Sequence, residues 1–163
     1  PNDRYINDAK IAEALAQILN RVGIDASVET MPKAVYFKRA SRGGPNKSPE
    51  FSFMLLGWGA GSGEASSPLK ALLHTYDKSK GMGAANRGRH TDAKVDALIQ
   101  KALATVDADA RGKLLAEATE KAVGENYGVI PMHYQVNTWA AKKGYSYLPR
   151  TDERTIVTGL SGS

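Results

Sequence analysis

The chain has no cysteine, only three histidines and no long apolar run. The absence of cysteine excludes a disulfide framework, a thiolate metal site and a thiol nucleophile. The histidines, His74, His90 and His133, share no metal-ligand spacing, so we expect no bound metal. No segment reaches the roughly 18 consecutive apolar residues of a membrane-spanning helix. At 163 residues, with 42% hydrophobic and 24% charged residues, the composition is typical of one globular domain.

Motifs for catalysis and cofactor binding are also absent from the sequence. Ser62, Ser66 and Ser67 lie in no G-x-S-x-G nucleophile elbow. The segment GWGAGSG lacks the trailing Lys-Ser/Thr of a P-loop, and no acid follows it where the dinucleotide fingerprint places one for the ribose. We therefore expect no cofactor and no enzymatic activity.

Positive charge is in excess, with a formal net charge of +5, but it is spread along the whole chain. Arginines and aromatic residues are not interleaved as they are in an RNA-binding sheet, and no nucleic-acid recognition motif is present. The charge therefore predicts a solvated basic surface and no nucleic-acid partner.

Apolar residues recur with helical spacing in three segments, which predicts helices over residues 7–22, 92–106 and 108–125. Shorter helices are expected over residues 33–41 and 67–75. Asn7 or Asp8, Thr91 and Asp107 are suited to cap the three long helices in turn. Gly23 stands where a left-handed residue commonly ends a helix.

Between these helices the pattern changes to one typical of strands. Residues 24–31 alternate apolar and polar side chains, and residues 51–56 form a continuous apolar run closed by glycine. Residues 129–134 and 136–142 also read as short strands or extended segments, whereas residues 42–49 and 77–90 have the composition of loops. The order of elements predicts an α/β fold in which helices flank a mixed sheet with residues 51–56 as its central strand.

The segment after that run is the main candidate site. Gly57 and Trp58 lead into a loop of glycine, alanine and serine with one acid, Glu64. A loop with so little bulk lets the backbone approach a ligand, and a tryptophan beside it offers a face for stacking. A buried strand with a structural tryptophan and a flexible connector is the alternative. The candidate ligand-binding residues are Trp58, Gly59, Gly61 and Glu64, with Tyr36 and Asn86 as further residues that could reach a cleft or lie on the surface.

In this order the segments resemble the C-terminal portion of family 5 extracytoplasmic solute-binding proteins, the peptide, dipeptide and nickel type, which serve ATP-binding-cassette importers. Residues 1–32 are similar to a family helix that closes in Gly-Ile and a strand, and FSFMLLGWGAGSGEASSPLKALLH resembles the family's unit of strand, Gly-Trp, small polar loop and short helix. The family's ordered signature is matched by Asn86, Asp96, Leu98, Ile99, Ala102, Asp107, Arg111, Leu115, Ala118, Ile130 and Pro131.

The resemblance implies a periplasmic binding protein rather than an enzyme. Members have two lobes that close over a ligand and deliver it to the importer permease. It also implies that residues 1–150 are a C-terminal lobe of periplasmic-binding-protein-like fold, that residues 151–163 are a loose tail, and that the chain is a fragment of something larger. Its implied partners are a small-molecule or peptide-like ligand, the missing N-terminal lobe and the permease.

Two departures from the family bear on the ligand. Relatives that bind peptides place a carboxylate three residues after the tryptophan, where this chain has Gly61, and Glu64 replaces it only if the loop turns inward. Relatives that hold a peptide C-terminus place arginines before Gly-Trp, where this chain has Met54, Leu55 and Leu56. These differences favour a modified peptide, an opine-like compound or a sugar derivative, bound by stacking and backbone contacts. The alternative is a truncated lobe without a ligand of its own, which acts through assembly with the missing part or through self-association.

Overall fold

The computed structural model describes residues 1–2, 4–41, 50–150, 152 and 154–162. The chain divides into two compact units, Pro1–Pro131 and Met132–Ser163. The predicted loop over residues 42–49 lies outside the described residues, as do residues 151, 153 and 163 of the predicted tail. Within the described part, no helix combines the length and the apolar character that crossing a membrane requires.

Five helical segments form the first unit, and they confirm the five predicted helices. They are α1 (Asp8–Arg21), α2 (Lys33–Ala40), α3 (Ser66–Pro68) with a π-helical continuation over Leu69–Leu73, α4 (Ala93–Ala104), and α5 (Ala108–Thr119) with a π-helical continuation over Glu120–Glu125.

The helix ends follow local hydrogen-bond chemistry. Asp107 accepts the N–H of Ala110 at 2.8 Å and so caps α5 as predicted. The cap of α4 is Asp92, which accepts the N–H of Val95 at 2.9 Å. The prediction of Thr91 was wrong by one residue. Gly23 has φ +86°, which confirms the left-handed end of α1, whereas the side chain of Asn7 makes no capping hydrogen bond.

The hydrophobic core is formed by α4, α5 and the two π-helical turns. In α4 the buried residues recur at intervals of four and three, as Val95, Ile99 and Ala102, which places them on one face. The complete buried cluster is Leu69, Leu73, Val95, Ile99, Ala102, Leu115, Ala118 and Ala122. Of the three helices that the sequence predicts as apolar on one face, α4 and α5 therefore pack their buried residues together, whereas α1 contributes none to this cluster.

The predicted fold class is wrong. Helices make up 42% of the structure, and the only sheet among the described residues has two strands, so no mixed sheet lies between helices. None of the four stretches predicted as strands, residues 24–31, 51–56, 129–134 and 136–142, is a strand. The long helices consequently pack without a central sheet.

Side chains take the hydrogen bonds that neighbouring strands would supply to two of these stretches. The carbonyl of Leu55 accepts the Tyr36 hydroxyl at 2.9 Å, and the carbonyl of Gly57 accepts the Tyr5 hydroxyl at 3.1 Å. The backbone of Ala26 is likewise paired with a side chain, since the Asn20 amide both donates to its carbonyl and accepts its N–H. These three carbonyls and the N–H of Ala26 thus have hydrogen-bond partners without a β-ladder.

The second unit contains an antiparallel pair of short strands, β1 (Tyr145–Tyr147) and β2 (Leu160–Gly162), with Tyr147 opposite Leu160. A short 3₁₀ turn over Val157–Gly159 leads into β2, which falls within the stretch predicted as a tail. Trp139 donates its indole N–H to the Thr155 hydroxyl at 2.9 Å. Aromatic packing and one strand pair thus organise this unit.

Candidate functional site

A cavity of about 360 Å³ lies in the first unit, beside the Gly-Trp motif. It brings together four separate parts of the chain: the residues that precede α1, the helix α2, the loop around residue 58 and the loop around residue 87. Its lining residues are Arg4, Tyr5, Phe37, Leu56, Gly57, Trp58, Gly59 and Arg87. The wall therefore combines aromatic faces, two guanidinium groups and a stretch of bare backbone.

Hydrogen bonds from two tyrosine side chains hold the backbone of residues 55–59 in place. Leu55 and Gly57 are two residues apart, and their carbonyls accept the hydroxyls of Tyr36 and Tyr5. A methyl group on Gly57 would come within 2.8 Å of the Tyr5 ring, so only glycine allows this close contact. The tyrosines thereby fix the segment that presents Trp58 to the cavity.

Trp58 and Gly59 line the cavity, and Trp58 is 46% exposed. A tryptophan that served only the core would be almost fully buried. Trp58 is therefore not the buried structural tryptophan of the alternative, and its stacking role stays a prediction. Gly59 leaves open space over its backbone, with no atom within 4 Å of where a Cβ would stand.

Two arginine side chains lie near the same aromatic ring of the cavity wall, that of Phe37. The guanidinium carbon of Arg87 lies 5.2 Å from the centre of the Phe37 ring, and that of Arg4 lies 5.8 Å from it. Among the residues that the structure describes, neither arginine forms an ion pair. The Nε of Arg87 is enclosed and lacks a hydrogen-bond partner there. The cavity thus carries two arginines whose charge no ion pair offsets within the described part of the chain.

Tyr36 lies beneath this wall rather than in it. It is 3% exposed and stacks on Phe51, with 5.6 Å between the ring centres. Burial raises the pKa of Tyr36 to about 12, with nearby Tyr5 acting in the same direction and Arg87 opposing. The sequence-predicted Tyr36 therefore supports the cavity from behind.

Gly61 and Glu64 lie outside the cavity wall. Glu64 accepts the Ser66 hydroxyl at 2.6 Å and the Nε–H of Arg111 at 3.0 Å. These hydrogen bonds, with the charge of Arg111, hold the pKa of the Glu64 carboxyl below its usual range. The only acid of the glycine loop thus links the loop to α5, and it does not take the place of a ligand-binding carboxylate.

Asn86 is buried, and both the nitrogen and the oxygen of its side-chain amide form hydrogen bonds with neighbouring backbone groups. It donates to the carbonyls of His74 at 3.0 Å and His90 at 2.7 Å, and it accepts the N–H of His90 at 2.9 Å. Because Asn86 directly precedes Arg87, these bonds fix the backbone from which Arg87 reaches the cavity. Asn86 therefore positions a cavity residue instead of lining the cavity.

Sequence reasoning missed Arg4, Tyr5, Phe37 and Arg87. They lie in three segments that no periodic pattern connects, and each one alone resembles an ordinary surface or helix residue. The available signal was the bare Gly57 beside a tryptophan, which indicates that another group packs against it. In the described part of the chain, no three histidine, aspartate or glutamate side chains gather to hold a metal ion.

Comparison with known proteins adds no constraint to this geometry, because no family model, curated protein or solved structure matches the chain.

Proposed function

We propose that the chain supplies a ligand-binding wall of an extracytoplasmic solute-binding protein of an ATP-binding-cassette importer. The observation that carries this proposal is the half-exposed Trp58, which faces a cavity whose two arginines have no ion pair among the described residues. The importer permease, the periplasmic location and a second lobe outside this chain rest on the sequence resemblance alone.

The size and chemistry of the cavity suit a small solute or one end of a peptide-like molecule. Its volume of about 360 Å³ falls within the range of small-molecule sites. Trp58 and Tyr5 offer aromatic surface, and the backbone around Gly57 and Gly59 offers hydrogen-bonding groups. Among the described residues, none that lines the cavity carries a carboxylate, so this part of the wall offers no charged partner to a free α-ammonium group. This favours modified over free α-amino peptides.

The proposal is tested by titrating the ¹⁵N-labelled chain with peptides, opine-like compounds and sugar derivatives. The two tryptophans give separate indole N–H signals, so Trp139, in the second unit, serves as the internal reference. We expect the Trp58 signal to move and the Trp139 signal to stay.

Trp58→Ala should then weaken the affinity by about 1–3 kcal/mol, because the stacking face is lost. Trp139→Phe is the matched control and should leave the affinity unchanged. An equal affinity of Trp58→Ala and the wild-type chain would refute the site.

A second candidate function, assembly with another polypeptide or with a second copy, is favoured by the surface of α1 and the residues after it. Ile18 is 53% exposed, Val22 70% and Ile24 53%, although their spacing is that of a buried helix face and the segment following it. Sedimentation velocity over a range of concentrations tests this candidate. We expect the weight-average mass of the wild-type chain to rise with concentration. The weight-average mass of Ile18→Lys should stay at that of the monomer.

A further inference from the structure

Two arginines, Arg4 and Arg87, line the cavity, whereas no aspartate or glutamate among the described residues does. Asp8, which acts electrostatically on Tyr36, is buried and accepts the backbone N–H of Asn2 at 2.9 Å. Within the described residues, neither guanidinium has an acid within ion-pair distance.

Three arginines of the chain, Arg39, Arg111 and Arg150, form ion pairs among the described residues, whereas the remaining described arginines do not. Arg87 differs from the others because its Nε–H is enclosed and has no acceptor there. A buried donor without a partner is unfavourable, and a ligand that binds Arg87 has no acidic side chain among the described residues to displace.

The aromatic surroundings prepare both guanidiniums for such a ligand. Arg87 and Arg4 lie against the Phe37 ring, and Arg4 also lies 5.6 Å from the centre of the Tyr5 ring. A guanidinium beside a ring can keep its terminal N–H groups free for the paired oxygens of an oxyanion. Trp58, at the same cavity, offers a face for a flat apolar body.

From this geometry we infer that the cavity takes a flat apolar solute through its oxyanion group, a carboxylate or a phosphate, held between Arg4 and Arg87. This inference rests on the proposed function and adds the class of ligand. The charge of the ligand thus supplies the counter-ion that neither guanidinium has among the described residues. The flat body of the ligand covers the exposed indole of Trp58.

Three probes of one shape test the inference: phenylacetate, phenyl phosphate and the neutral phenylacetamide. Each is titrated into the ¹⁵N-labelled chain at pH 7, and the Arg87 Nε–H and Trp58 indole N–H signals are followed. We expect at least one anion to bind about tenfold or more tightly than phenylacetamide and to shift the Arg87 signal. The tighter of the two anions identifies the oxyanion that the site prefers.

Charge-matched variants separate the cavity from the general basic charge of the chain. Arg87→Gln should lower the affinity for the preferred anion about tenfold or more and leave phenylacetamide binding unchanged. Arg21→Gln removes the same charge from the exposed end of α1 and should change neither affinity. Circular dichroism verifies that each variant is folded.

Two results would overturn the inference and are distinguishable. If the anions and the amide bind with equal affinity and all move the Trp58 signal, the anion inference fails and the proposed function stands. If no probe moves the Trp58 signal at concentrations up to about 10 mM, the anion inference and the proposed function both fail.

Discussion

Tyrosine hydroxyls are the residue-scale feature on which the candidate site depends. Tyr36 and Tyr5 donate to backbone carbonyls two residues apart, and so they hold the Gly-Trp segment in the absence of a neighbouring strand. Tyr36 is buried between this segment and the rings of Phe37 and Phe51. Its hydroxyl must therefore stay protonated for the hydrogen bond to persist.

Tyr36→Phe tests this role through the pH dependence of stability. The folded pKa of Tyr36 is about 12, whereas a tyrosine in the unfolded chain ionises near its ordinary value of about 10. Between these values the folded state binds more protons, so the wild-type chain loses up to roughly 3 kcal/mol of unfolding free energy as the pH rises. In urea unfolding, the free energy of unfolding of Tyr36→Phe should fall less than that of the wild-type chain as the pH rises above 10. At neutral pH it should be lower than the wild-type value by about 1 kcal/mol, because the hydrogen bond is lost.

Tyr134→Phe is the matched control, because Tyr134 is 99% exposed. It should lose stability with pH as the wild-type chain does. If Tyr36→Phe and the wild-type chain decline in parallel above pH 10, the hydroxyl of Tyr36 is not held in the manner described.

At the scale of elements, helices could be predicted from the sequence and strands could not. A helix satisfies its own backbone, so local spacing and caps such as Asp107 suffice to locate it. A strand needs a partner, and the apolar run over residues 51–56 gives no information about one. Here tyrosine and asparagine side chains supply the hydrogen bonds of a partner strand, and no local sequence pattern predicts this.

The candidate site shows the same division between local and distant information. Trp58 and Gly59 could be predicted as lining a site because the Gly-Trp motif and the small residues after it are adjacent in the sequence. Arg4 and Arg87 were not, because only the folded chain brings them to one ring. Glu64 and Asn86 have residue types that suit a ligand, but their partners Arg111 and His74 lie at distant positions in the sequence.

The cap of α4 provides a prediction at this scale. Asp92 accepts two backbone N–H groups of the first turn and also the side-chain amide of Asn126 at 2.9 Å, contacts that lower the pKa of its carboxyl. Asp92→Ala should therefore destabilise the first unit by about 1–2 kcal/mol in urea unfolding. In the wild-type chain this contribution should be present above the unfolded pKa of aspartate and decline as the pH falls through the lower folded pKa.

Asp109→Ala is the control for the loss of an acid from the first turn of a helix. Asp109 lies in the first turn of α5, whose cap is Asp107, so its removal should change the unfolding free energy by about 0.5 kcal/mol or less. Equal effects of the two substitutions would show that Asp92 acts through its charge alone and not as a cap.

At the scale of the whole molecule, the first unit depends on one small core between α4, α5 and the π-helical turns. All eight of its members are alanine, valine, leucine or isoleucine, so the loss of one large side chain leaves a cavity that small neighbours cannot fill. The exposed apolar face around Ile18 and Val22 adds little to this core.

Leu115→Ala should cost about 2–5 kcal/mol of unfolding free energy, because Leu115 is 5% exposed and lies within the cluster. Leu103→Ala is the control on α4, where the side chain is 41% exposed, and should cost about 1 kcal/mol or less. An equally small effect of both substitutions on the thermal midpoint would contradict the assignment of the core.

Under the proposed function, in which the chain is one wall of a two-lobe site, the isolated chain should bind its solute weakly because it supplies only part of the contacts. Binding still costs several kcal/mol of translational and rotational freedom, so we expect a dissociation constant above roughly 100 µM. N-acetylphenylalanine, which is peptide-like, blocked at its amine and anionic, is a suitable probe. Nuclear magnetic resonance titration measures affinities in this range.

Blocking the cavity is the most direct test of whether it is the ligand site. Gly59 lines the cavity, and Gly112 lies on α5; neither has an atom within 4 Å of where a Cβ would stand, so both tolerate a side chain. The decisive measurement is the dissociation constant of N-acetylphenylalanine for Gly59→Leu and Gly112→Leu. We predict about tenfold or greater weakening in Gly59→Leu and a change of about twofold or less in Gly112→Leu. Equal affinity of both variants and the wild-type chain would contradict the proposal that this cavity binds the ligand.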